Sequence, residues 1–328
     1  MRRRDILGIA AGMVGTRLLS GMSPAQAQSL AGKQIRLVVP FPPGGATDIV
    51  ARPFAQMLAE ALKATVVVDN RGGAGGSIAA DIIAKSPPDG QSLLIGTVGT
   101  HAINPALYSK LPYDAVRDFT ALALIARGPV TIVVNPSQPV NSLADLVALA
   151  KSKPGELNYG TAGVGTPGHL TAEMFRAVAG INIQHVPYKG GALGITDLIG
   201  GQIQIMFEPL QSALSNVQGG KLRALALSSK TRSVVVPDVP TIAESGYDGF
   251  ETTAWWGVFA PARLPDSVTT MLVAEIERIA ASEAFRSKLE PLGVTPDATL
   301  GGTAFADYQR HELVKWGKAV QNAGVKID

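Results

Sequence analysis

The chain has 328 residues, 29 of them Lys or Arg and 26 Asp or Glu, and no cysteine. Without thiols there is no disulfide framework, no iron–sulfur cluster and no cysteine nucleophile. The small positive excess belongs to the N-terminus: residues 1–27 hold Arg2, Arg3, Arg4, Arg17 and Asp5, and without them 25 charges of each sign remain, with no basic stripe to read nucleic acid.

In chain order, the first feature is an export signal. Arg2, Arg3 and Arg4 precede a short apolar stretch at residues 6–14, and Ala25-Gln26-Ala27 supplies an A-x-A cleavage pattern. The apolar part is too short for a membrane span, and Arg17 interrupts its continuation. Arg3-Arg4-Asp5-Ile6-Leu7 also resembles a twin-arginine signal. The alternative is an amphipathic first helix of the mature fold, against which the cleavage pattern argues. Nothing after residue 27 approaches 18 uninterrupted apolar residues, so a soluble mature protein is expected.

Strand-like and helical patterns then alternate. Strands are predicted over residues 35–41, 65–68 and 92–97, with helices over 49–62 and 78–85 between them, a βαβαβ series that implies a parallel sheet. A second series follows: strands over 130–134, 157–161, 183–186, 202–207 and 222–228, and helices over 143–151, 169–179 and 193–200, with Asn141 or Ser142 as the cap at 143. Two helices, over 267–289 and 303–323, close the chain. Two lobes are the simplest packing, with the chain crossing near 125–130 and again beyond 225. One large doubly wound sheet is the alternative.

Three glycine-rich loops stand where a strand feeds a helix, the edge at which open α/β sheets bind ligands. Phe41-Pro42-Pro43-Gly44-Gly45-Ala46-Thr47-Asp48 combines a stiff strand exit with glycines that bring N–H groups close to a ligand, and its helix start favours an anion. Thr47 or Asp48 is the candidate cap, and an ordinary tight turn is the competing reading. In Asn70-Arg71-Gly72-Gly73-Ala74-Gly75-Gly76-Ser77, Arg71 either faces an anion or pairs with Asp69. The third loop, residues 160–169, contains GxGxxG at Gly163, Gly165 and Gly168. A dinucleotide site requires a carboxylate about 20 residues on. That position reads His185-Val186-Pro187-Tyr188-Lys189, so the glycines suit an anion pocket better. His101, His169, His185 and His311 show no metal spacing, and no GxSxG elbow is present.

Many short motifs then match one family in order. They include Val39-Pro40-Phe41-Pro42-Pro43-Gly44-Gly45 with Asp48, Asn70-Arg71, Pro88-Asp89-Gly90 and Asn104-Pro105-Ala106-Leu107-Tyr108. Asn158-Tyr159-Gly160, His169-Leu170, Val186-Pro187-Tyr188-Lys189-Gly190 and Val239-Pro240-Thr241 follow. Over nearly the whole mature chain the sequence resembles the tripartite tricarboxylate transporter substrate-binding proteins, the Bug or TctC family. The resemblance implies a type II-like periplasmic-binding-protein fold, each lobe a mostly parallel sheet flanked by helices. With the two crossings read above, residues 28–127 and 229–328 are expected in one lobe and 128–228 in the other. The resemblance also implies a periplasmic monomer that captures a small carboxylate, needs no cofactor, and delivers its ligand to a large and a small membrane subunit.

Carried over by position, Phe41, Pro43, Gly44, Ala46, Thr47 and Asp48 would line one wall of the pocket, with Thr97, Thr100 and Asn104 near the crevice on the same lobe. Thr161, Ala162, Gly163, Thr166 and His169 would line the opposing wall, with Tyr188 and Glu208 nearby. Four features depart from the family pattern. Glu208-Pro209 stands where Asp is usual, Gly72 replaces Pro, Thr166-Pro167 replaces Ser with a variable residue, and Pro53 falls early in the first long helix. Two other functions share these features: a ligand-sensing module for a membrane receptor, and a secreted hydrolase with a dispersed triad near His169.

Overall fold

The computed structural model describes residues 29–327; the expected export signal lies outside the described residues. The chain begins in a sheet whose parallel part is β1 (Gln34–Val39), β2 (Thr65–Asn70) and β3 (Ser92–Thr97), ordered β2-β1-β3. Leu37, Val38 and Val39 are fully buried, as befits a strand covered on both faces. The crossovers are α1 (Ala46–Leu62) and α2 (Ser77–Ala84). Helix α1 starts three residues before the expected position, because extended Gly45 is its N-cap. Neither Thr47 nor Asp48 fills that role, and the helix continues through Pro53. After β3, a wide helical turn over Gly99–Ile103 leads into the short α3 (Asn104–Leu107).

Strand β4 (Phe119–Gly128) runs to the far side of this sheet, and Pro129 carries the chain into a second one. That sheet takes β5 (Val130–Val134), then α4 (Leu143–Ser152), β6 (Asn158–Thr161), α5 (Pro167–Ala179), β7 (Gln184–Pro187), α6 (Gly191–Ile199), β8 (Ile205–Pro209), α7 (Leu210–Gln218) and β9 (Arg223–Leu227). Its order is β7-β6-β8-β5-β9. Ser142 caps α4 in a reciprocal box with Asp145. The chain returns as β10 (Ala254–Pro261), which inserts between β3 and β4, followed by α8 (Asp266–Ala281), α9 (Glu283–Leu289), the edge strand β11 (Thr295–Pro296) and α10 (Gly302–Ala323). The single helix expected over 267–289 is two, because Ser282 turns extended and caps α9 through the Phe285 N–H.

Both sheets are mixed, for a topological reason. Strands β1, β3, β6 and β8 run toward the junction between the lobes, so their following loops meet there. Strands β5 and β10 enter each sheet from the other lobe and run away from the junction. They therefore pair antiparallel, β5 with β8 and β10 with β3. On β10, Trp255 and Trp256 point to opposite faces, as successive strand residues must. Each joins a different apolar cluster, and both are buried. No helix among the described residues is long and apolar enough to cross a membrane.

Candidate functional site

The first wall is the loop between β1 and α1. Asp48, in the first turn of α1, is 3 % exposed, and its carboxylate turns back on its own loop. Oδ2 accepts from the Gly44 N–H at 2.9 Å and from Arg52 Nε at 2.7 Å, and Oδ1 accepts from Asn70 Nδ2 at 3.0 Å. The Asn70 amide also donates to the Phe41 carbonyl at 2.8 Å, which ties this loop to the end of β2. Burial by itself pushes the Asp48 carboxyl up, but its bonds to Arg52, the Gly44 N–H and Asn70 outweigh burial and hold it below the usual carboxylate range. Thr47 Oγ1 accepts from Trp256 Nε1 at 3.1 Å, which fixes the loop against β10.

The second wall is the loop between β6 and α5. Thr166 caps α5: its Oγ1 accepts from the His169 N–H at 3.4 Å and donates to the Gly163 carbonyl at 2.6 Å. Gly168 must be glycine, because a Cβ there would collide with the Phe207 carbonyl oxygen of β8. Beneath the loop lies an aromatic stack, with His169 on His185 at 4.5 Å and His185 on Tyr159 at 4.9 Å. The Thr161 hydroxyl lies 2.8 Å from His185 Nε2, and His169 Nδ1 accepts from the Gly165 N–H at 3.4 Å. Burial lowers His169 to about 4, helped by the nearby Arg176 charge. It lowers His185 to about 3, again with an adverse contribution from neighbouring His169. Both rings are therefore neutral near pH 7.

The two walls meet around a small, partly open cavity of about 30 Å³, room for a few waters. Ala46, Thr47 and Gly168 line it, and they are first-turn residues whose N–H groups lack intrahelical partners. Two helix starts from opposite lobes thus aim donors and positive dipole ends at one space. No Lys or Arg lines it among the described residues. The only ionisable lining side chain there is Glu208, which is 1 % exposed. Burial pushes its carboxyl up to about 8, against a smaller opposing effect of the Ser212 hydroxyl.

Of the expected residues, Phe41, Ala46, Thr47, Thr97, Ala162, Thr166 and Glu208 line this cavity. Gly163 and Tyr188 line an adjoining cleft that shares Phe41 and Ala162 with it, and the Tyr188 hydroxyl donates to Asp197. Pro43 sits at a shallow outer recess beside Lys189 and Leu193. Gly44 and Asp48 brace the first loop from behind, and Thr161 and His169 brace the second. Thr100 lies one layer below Thr97, bonded to it and to His101 Nδ1. Asn104 donates to the Gly75 carbonyl, while its Oδ1 occupies the place a side chain at Gly165 would need. Arg71 pairs with Asp69 rather than facing an anion.

Gly191, Pro209, Trp255 and Trp256 also line the cavity; Pro209 is expected there as the rigid residue after Glu208, whereas Gly191 carries no sequence signal. A pair of tryptophans in a chain with 5 % aromatics can reach the cleft or pack in the core or between the lobes, and packing is the favoured reading from sequence. The start of β10 in fact does both.

Two α/β lobes that present paired strand-to-helix loops to one shared cavity define a solute-binding receptor. The family described as the tripartite tricarboxylate transporter family receptor matches residues 50–325, and this chain belongs to it. An R. palustris protein, Rpa4515, solved with adipate, is 37 % identical and superimposes with a TM-score of 0.86 over 90 % of this chain and 98 % of its own. The periplasmic binding protein BugD is 32 % identical, with a TM-score of 0.86 over 90 % of this chain and 98 % of its own. MatC from Rhodopseudomonas palustris, with bound malate, is 31 % identical, with a TM-score of 0.82 over 88 % and 99 %. Membership of a receptor family, with a periplasmic binding protein among its structural relatives, makes this chain a binding protein rather than the hydrolase of the alternative reading.

Proposed function

We propose that this protein is an extracytoplasmic receptor that captures a small carboxylate between its lobes and delivers it to the large and small membrane subunits of a tripartite transporter. One observation carries the reading: two helix starts, one from each lobe, converge on a cavity that no lysine or arginine lines. Backbone donors hold a carboxylate without an ion pair that would slow release. Because the donors come from both lobes, a bound carboxylate favours the closed arrangement over the open one. The adipate and malate held by two structural relatives fit this chemistry.

The lobes are assigned to residues 28–127 with 229–328 and to residues 128–228, and the receptor acts as a monomer in the periplasm after loss of residues 1–27. The ligand's first carboxylate is assigned to the N–H groups of Ala46, Thr47 and Gly168. Phe41, Ala162 and the β10 tryptophans form the apolar sides.

Thermal unfolding of the ligand-stripped protein against mono-, di- and tricarboxylates tests this. At 100 times its dissociation constant, the cognate acid adds about 2.7 kcal/mol of stability. A broad panel without any shift rejects the carboxylate assignment. Capture of both membrane subunits in the presence of that acid separates transport from sensing.

A further inference from the structure

The Glu208 carboxyl is enclosed by groups that carry no charge. Its Oε1 accepts from Ser212 Oγ at 2.8 Å, whereas Oε2 is buried without a hydrogen-bond partner among the described residues. Thr131 stands opposite it on β5, Gly168 opens α5 beside it, and Gln211 and Ser212 of α7 follow it in the chain. Gly191 opens α6 so close to Oε1 that any side chain there would collide with the carboxyl. Across the cavity stand Thr47, Thr97 and the tryptophans, while Asp48 is turned away into its own network. No lysine, arginine or histidine faces the carboxyl from any of these elements.

A bare carboxylate in such a place carries a large desolvation cost that only the Ser212 hydroxyl and the nearby helix starts offset, with no cation among its neighbours. A ligand carboxylate held by the helix starts would add repulsion. A neutral carboxylic acid removes both costs and leaves one O–H to donate.

We propose that Glu208 determines ligand specificity as a neutral carboxylic acid, donating a hydrogen bond from Oε2 to an oxygen of the bound carboxylate and disfavouring ligands that carry an ammonium group. The inference rests on the reading of this cavity as a carboxylate site. An ammonium would instead require Glu208 ionised, so the two ligand classes predict opposite responses to pH. The carboxyl is pushed up to about 8 by burial. Binding of an acid is therefore insensitive to pH below that value and weakens as Glu208 loses its proton above it.

Calorimetric titration with adipate, malate, aspartate and glutamate, from pH 6 to 9, tests the proposal. The non-amino acids are expected to bind at least tenfold tighter than the amino acids, and to lose about tenfold in affinity between pH 7 and 9. Glu208→Gln, whose amide can still donate, should weaken binding only a few-fold at pH 6.5 and abolish the loss at high pH. Glu208→Ala should weaken it at least tenfold. Affinity that rises with pH, a preference for the amino acids, or loss of all binding in Glu208→Gln overturns the proposal.

Infrared spectroscopy of the free protein at pH 7 reads the proton without any ligand. A carboxylic-acid carbonyl band that disappears in Glu208→Gln is expected. If the band is missing while an acid still binds, the proton assignment fails and the receptor reading stands. If the band is present but no acid on the panel binds, the carboxylate reading fails, and donation to a carboxylate fails with it.

Discussion

The two walls of the cavity present similar donors but are held in place by opposite electrostatics. The first loop is braced by an ionised carboxylate, Asp48, in contact with Arg52, Asn70 and the Gly44 N–H. The second is braced by a stack of uncharged rings, Tyr159, His185 and His169, anchored at its far end on the Glu173–Arg176 ion pair, with Glu208 close by on β8. An ionised brace with a lowered pKa is indifferent to pH over the physiological range. A brace kept neutral by burial is vulnerable wherever its groups would otherwise ionise. The second wall should therefore fail first, on the acid side through its histidines and on the alkaline side through Glu208.

Acid gives the largest expected break in that contrast. His169 and His185 titrate at about 4 and about 3 in the folded protein, below the ordinary 6.5. Their contribution to stability is complete above pH 6.5 and is lost as pH falls toward 4, because the unfolded chain then binds the protons. Stability should fall by roughly 5 kcal/mol between pH 7 and 4.5 if both histidines titrate as single groups. Replacing both histidines with glutamine should flatten that slope, and an unchanged slope in urea titrations would remove the histidines from the account.

Next in size is Gly168→Ala. The added methyl meets a backbone carbonyl of β8, which cannot rotate away, so a loss of about 2–3 kcal/mol is expected together with weakened binding. A variant of wild-type stability would show that the start of α5 can shift off β8.

The smallest effect belongs to the first wall. Asp48→Asn keeps the shape but removes the charge that draws in Arg52, and should cost about 1 kcal/mol at pH 7. The wild-type advantage should vanish as pH drops below the ordinary Asp value, because the folded pKa is lowered. An advantage that persists at pH 2 would mean that packing, not charge, is what the variant loses.

Much of the first wall could be read from the sequence because its information is local. Two prolines, two glycines and an acid three residues inside a helix describe the loop and its brace within eight positions. What local reading missed was the direction of Asp48, which turns to Asn70 at the end of β2 rather than to the cavity. The second loop was equally visible as a glycine-rich turn. Its stack was not, because His185 arrives from β7, 16 residues after His169. Strand β4 reads Ala-Leu-Ala-Leu-Ile-Ala over residues 121–126, a composition that suits a helix as well as a buried strand, so no strand was predicted there.

Alone, the sequence determined the two βα series, the loops that end β1 and β6, and the family to which they point, since each depends on periodicity and punctuation within a few residues. Only the tertiary structure decided that the returning chain would insert as β10 between β3 and β4 and bring Trp255 and Trp256 to the cavity. The protonation of Glu208 was likewise decided there: a carboxyl's charge depends on its surroundings, and those are assembled from β5, α5, α6, α7 and the opposite lobe, distant in the chain and joined only by folding.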